Sequence, residues 1–144
     1  MKKMLHTSMI YFALAIAAGV FYREFTKFSG FSGQKALSCV HVHLFVLGMF
    51  LFLILALFGA QARGLFQDKG FKRFYALYNV SLPLAACTLL ARGIAQVRQI
   101  ELTKAASATI SGVAGIAHIL ITVSLILLFA ALKKNCVAEE AKKA

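Results

Sequence analysis

Residues Ala36 to Ala60 read ALSCVHVHLFVLGMFLFLILALFGA, and this run decides the fold. It holds no Asp, Glu, Lys, Arg or Pro over 25 residues. About 20 consecutive apolar residues suffice for a helix to cross the hydrocarbon core of a bilayer. The run is therefore read as a membrane-spanning helix. Working outward, three more stretches have the same character: Met4 to Tyr22, Phe74 to Val97 and Ala108 to Leu132. Polar segments, Arg23 to Lys35, Gln61 to Arg73 and Arg98 to Ser107, separate them as loops, and Lys133 to Ala144 forms a charged tail expected to be flexible.

The whole composition agrees. The chain has 144 residues, 60% of them hydrophobic and 15% charged, with one proline. Ordinary soluble domains are about half apolar and a quarter charged. Four spans use most of the length, which leaves no room for a separate soluble catalytic domain. The expected fold is an all-α integral membrane domain over 1–144, an antiparallel four-helix bundle. A cleaved signal peptide is a rival reading of the first run, since Lys2 and Lys3 precede an apolar stretch ending in Ala15, Ala17 and Ala18. Against it, the stretch is long for a signal sequence, and Gly19, Val20, Phe21 and Tyr22 stay apolar beyond it.

A net charge of +11 would suggest nucleic acid in a soluble protein. Here the basic residues flank apolar runs, so the partner is the bilayer and not nucleic acid. Ten Lys and Arg fall in the N-terminus, second loop and tail, against five in the first and third loops. The positive-inside rule then puts both termini in the cytoplasm. The cysteines Cys39, Cys87 and Cys136 form no Cys-x-x-Cys pair and no even framework, so neither a zinc finger nor a disulfide scaffold is supported.

A central Arg costs about 2.5 to 3.5 kcal/mol on insertion scales, and each ionisable residue inside a span calls for a reason. His41, His43, Arg92 and His118 are of this kind. At about 1.5 Å of rise per residue, they converge on a similar depth in the outer half of the membrane. His41 and His43 differ by about 200° in azimuth on a regular helix and cannot both reach one ligand. His41 shares its face with Ser38, Phe45 and Gly48, and His43 shares its face with Cys39, Leu47 and Phe50. The smaller neighbours favour His41 without settling the choice. The face of His118 carries Ser111, Ala114, Gly115 and Thr122, almost without bulk. Such a stripe suits close helix packing, and equally a flat macrocycle laid against the helix.

A b-type haem between the second and fourth spans fits these residues best, with His118 and either His41 or His43 on the iron. Arg92 would pair with a propionate. Electron transfer or sensing of a small gas such as nitric oxide or oxygen follows as the expected function, with a redox partner or gas as ligand. Copper or another transition metal on His41, His43 and His118 is the alternative, and a structural membrane subunit with interhelical histidine bonds is the third. Whether any reaction is catalysed stays open. No phosphate-binding glycine loop, nucleophile elbow, His-Glu-x-x-His or buried carboxylate occurs, which argues against hydrolysis and proton-coupled transport. Asn79 and Ser81 before Pro83 are read as residues that re-satisfy a kinked backbone, and His6 as interfacial. The aromatic residues at 71–78 and 21–31 form belts, and Arg23–Glu24 a solvated loop pair.

Gly19-Val20-Phe21-Tyr22-Arg23-Glu24-Phe25, Val40-His41-Val42-His43-Leu44 with Leu47-Gly48-Met49, Leu90-Ala91-Arg92-Gly93, and Ser111-Gly112-Val113-Ala114-Gly115 with His118 resemble a family of small bacterial four-span membrane proteins. That family is defined as a domain of unknown function, and the resemblance covers nearly the whole chain. It implies a multi-pass protein of the bacterial cytoplasmic membrane. His41-Val42-His43-Leu44 followed by Gly48 is similar to the His-x-His-x-x-x-x-Gly helix of haem-copper-oxidase-type membrane proteins, which lies against haem. This second likeness extends to His41, His43 and Gly48 alone, and the chain lacks the further histidines of an oxidase. Small-residue faces point to a homo-oligomer.

Overall fold

A computed structural model describes residues 1–33, 36–62 and 64–140, with residues 60, 61 and 136–140 described as backbone only. The described residues are helical and contain no strand. Helix α1 covers Lys2–Phe28, α2 Leu37–His43, α3 Leu51–Gln61, α4 Lys69–Val97 and α5 Lys104–Glu140. A π-helix, Leu44–Phe50, joins α2 to α3, so these three pieces form one continuous rod. A single 3-10 turn, Leu65–Gln67, precedes α4. Four helices are long and apolar enough to cross a membrane. Every backbone polar group within lipid must be satisfied inside its own segment, and helices do this.

The helices outrun the apolar stretches that mark them, because local capping sets their ends. Asp68 caps α4, accepting hydrogen bonds from the amides of Gly70 at 2.7 Å and Phe71 at 3.2 Å, so the helix begins at Lys69. The first loop was expected from Arg23. Instead α1 stays helical to Phe28 and closes where Gly30 takes φ +60°, a value that glycine adopts without strain. The charged tail is likewise helical from Lys133 to Glu140, held at its start by an ion pair of 2.6 Å between Lys134 and Asp68. Residues 141–144, and Lys35 and Arg63 of the charge count, lie outside the described residues.

Packing is sequential. The rod α2–α3 packs on α1, α2 also packs on α4, and α4 packs along α5. No comparable packing joins α2 to α5. One close approach fixes the contact of α4 with α2. A Cβ at Gly93 would lie 2.5 Å from the backbone nitrogen of Leu37, so glycine lets the two helices meet. The core between α1, α3 and α4 is aromatic, with Phe52, Phe74 and Tyr78 fully buried. Leucine, isoleucine and phenylalanine side chains on the outer faces of α1 and α5 are exposed, as a lipid-facing surface requires.

Candidate functional site

The π-helix directly follows His43 and is clamped from two sides. A π-helix closes its hydrogen bonds one residue further along than an α-helix, and such turns cluster at functional sites. Ser8 on α1 donates to the carbonyl of Met49 at 2.8 Å, and Tyr78 on α4 donates to that of Leu47 at 2.9 Å. The ring of Tyr11 lies on Gly48, where an added Cβ would come within 2.5 Å of Tyr11 Cγ. Gly48, expected to leave room for a cofactor ring beside His41, is the point where α1 approaches the π-helix.

The two histidines of α2 face different surroundings. His41 stacks on Tyr22 of α1, with ring centroids 6.1 Å apart and planes inclined by 17°, and its Cβ and Cγ lie opposite Gly19. Its Nδ1 is buried and has no hydrogen-bond partner among the described residues. His43, about 200° around the helix, points away from α1. Its Nδ1 lies 2.8 Å from the carbonyl oxygen of Cys39 one turn earlier. A carbonyl only accepts, so Nδ1 carries the proton and Nε2 presents its lone pair outward.

His118 on α5 repeats that arrangement. Its Nδ1 lies 2.7 Å from the carbonyl oxygen of Ala114, which again leaves Nε2 as the basic nitrogen. The side chain is exposed on the helix surface. Nothing lies within 4 Å of a Cβ built on Gly112 or Gly115, so the predicted open stripe is present at Gly115. Arg92 sits on α4 beside Gly93, the residue that touches α2. Its Nη2 donates to Ser111 Oγ at 2.8 Å and to the Ser107 carbonyl at 3.2 Å on α5. Ser111 lies two turns before His118 on the same face. Arg92 thus stands on the part of α4 flanked by α2 and α5, tied to the helix that carries His118.

The structure therefore brings Arg92 to the His118 helix and turns His41 toward α1. It does not gather His41, His43 and His118 into one cluster. Among the described residues no group of three or more His, Cys, Asp or Glu side chains could hold a metal ion. Cys39 and Cys87 are exposed free thiols, and the Cys136 side chain lies outside the described ones. Asn79 does not re-satisfy the backbone freed by Pro83. Its amide donates to the Tyr75 carbonyl at 2.8 Å, and its Oδ1 accepts from the Tyr11 hydroxyl at 3.1 Å. Arg23 and Glu24 do pair, at 3.7 Å, near the end of α1. Ser8, Tyr11 and Tyr78, which hold the π-helix, were not singled out in the sequence as a group. Their signal, hydroxyls within apolar runs, is visible only in retrospect.

These features define a class: an all-helical, multi-pass bundle with imidazoles on three of its spans, at His6, at His41 and His43, and at His118, and with Arg92 on the fourth. Within it, the chain belongs to the family described as "Protein of unknown function (DUF2871)", whose model matches residues 1–135. No curated protein and no solved structure shows a significant match.

Proposed function

We propose that this chain is a b-type haem protein of the bacterial cytoplasmic membrane, working in electron transfer, with both termini in the cytoplasm. His43 on the second span and His118 on α5 would hold the iron, and Arg92 would supply positive charge to the haem carboxylates. One observation carries the reading. His43 and His118 each bind a main-chain oxygen through Nδ1, at 2.8 and 2.7 Å, which presents Nε2 in the form that ligates iron. The open surface at Gly112 and Gly115 next to His118 suits a flat ring. His41, preferred from the sequence, is a poorer ligand because it stacks on Tyr22 and faces α1.

When bound, the haem supplies a one-electron couple. The protein supplies two imidazoles and fixes their tautomers. Arg92 supplies fixed positive charge, and the apolar helices exclude water. Two imidazoles on one iron would leave it no free position, which would favour electron transfer over capture of nitric oxide or oxygen. The exposed small residues of α5 suit a homo-oligomer.

The test is an oxidised and dithionite-reduced absorption spectrum of the full chain, expressed with ample haem and purified in detergent. His118→Ala and His43→Ala should each lose the Soret band, while His41→Ala keeps it. A wild-type protein without a Soret band would overturn the proposal, and stoichiometric copper on that protein would point to metal binding instead. A band lost in His41→Ala and kept in His43→Ala would overturn the ligand assignment.

A further inference from the structure

At the N-terminal end of the bundle, α1 and α4 part to leave a pocket of about 240 Å³. Met4, Phe66 and Phe71 form its apolar floor, and Lys3 and Lys72 rise on its rim. Both lysines are exposed. Lys3 Nζ lies 3.9 Å from the centre of the Tyr75 ring, so its ammonium is already held over the pocket. A second cavity of about 410 Å³ lies further along α1, between Leu14 and Phe21 of that helix, Val40 and Leu44 of the second span and Pro83 and Leu90 of α4. Its lining exposes no polar surface. Hydrogen bonds from Thr7 to Tyr75 and from Tyr11 to Asn79 stitch the two helices together between these cavities.

Leu14 lies about 16 Å beyond Lys3 along α1, at 1.5 Å per residue, so the second cavity is separate from the first. A basic rim over an apolar floor matches the phosphate and the ester end of one molecule. We propose that this pocket is a binding site for an anionic phospholipid, with the phosphate between Lys3 and Lys72 and the start of its acyl chains on Met4, Phe66 and Phe71. Charge selects the occupant. Two ammonium groups attract a headgroup of net negative charge, whereas a zwitterionic headgroup brings its own cation to the rim. Free phosphate would satisfy the rim and leave the apolar floor uncovered. The pocket lies apart from His43, His118 and Arg92, so the proposal stands independently of the haem.

Native mass spectrometry of the full chain tests it, with phosphatidylglycerol and phosphatidylcholine of identical acyl chains added to the detergent solution. Phosphatidylglycerol should remain bound at activation energies that strip phosphatidylcholine, and millimolar inorganic phosphate should not displace it. Lys3→Gln/Lys72→Gln should weaken phosphatidylglycerol retention by roughly 30-fold, from the attraction of two basic residues. Lys3→Arg/Lys72→Arg should keep it, which separates loss of charge from loss of fold. Equal retention of the two lipids would overturn the proposal. So would unchanged preference in the glutamine variant, since the charge would then act from elsewhere, or displacement by inorganic phosphate.

Discussion

Gly48 lies under the ring of Tyr11, at a distance where a methyl group would stand 2.5 Å from Tyr11 Cγ. The ring cannot retreat. It stacks on Phe52, with centroids 5.7 Å apart and planes within 3°, and its hydroxyl is bound to Asn79. Gly48→Ala should therefore destabilise the protein by about 1 to 3 kcal/mol, the range for overpacking a tight interior. Unfolding in mixed detergent micelles would measure it, and an unchanged midpoint would show that the π-helix can shift away from α1.

Tyr78 is fully buried, and its hydroxyl serves the Leu47 carbonyl in the π-helix. Tyr78→Phe keeps the ring and removes that donor. A loss of about 1 kcal/mol is expected, in line with hydrogen bonds between membrane helices. Amide hydrogen exchange should rise over residues 44–50 more than over α5. Uniform change across both would mean that Tyr78 supports the core and not the π-helix.

Asp68 sits outside the spans and ties two ends of the structure, capping α4 and bridging to Lys134. Its carboxyl is held below the usual carboxylate range, chiefly by the hydrogen bond from Lys134 and then by the amides of Phe71 and Gly70, against an opposing effect of desolvation. A depressed folded value means that this stabilisation is full above the unfolded value near 3.8 and is lost as pH falls through the lower, folded one. Asp68→Asn should lower the thermal midpoint at pH 7 and flatten its decline in acid below pH 3.8. A wild-type and variant pair with parallel acid profiles would refute the linkage.

Arg92 donates to Ser107 and Ser111, and on the proposed haem reading its charge also faces a propionate. Positive charge near the iron favours the reduced form. Arg92→Gln should accordingly lower the haem midpoint potential, and Arg92→Lys should hold it close to wild type. Potentiometric titration of the α band decides. A potential equal in all three proteins would assign Arg92 to helix packing alone.

The number and placement of the spans were legible in the sequence, because a chain in lipid must satisfy its backbone internally and a long uncharged run leaves the helix as its solution. The common depth expected for His41, His43, Arg92 and His118 rests on the same rise per residue. Which face each residue presents was not legible. In a soluble helix the apolar stripe reveals the buried side, but here lipid and core are equally apolar, and the pattern around residues 36–60 carries no such stripe. Nothing in the run itself marks the approach of Tyr11 to Gly48. The π-helix depends on Ser8 and Tyr78, which reach its carbonyls from positions 41 and 31 residues away in the chain. The sequence by itself determined four helices and the polar residues set within them. Only the tertiary structure decided that His41 turns to Tyr22 while His43 and His118 keep Nε2 free, because those orientations are set by contacts between helices and by main-chain oxygens one turn away.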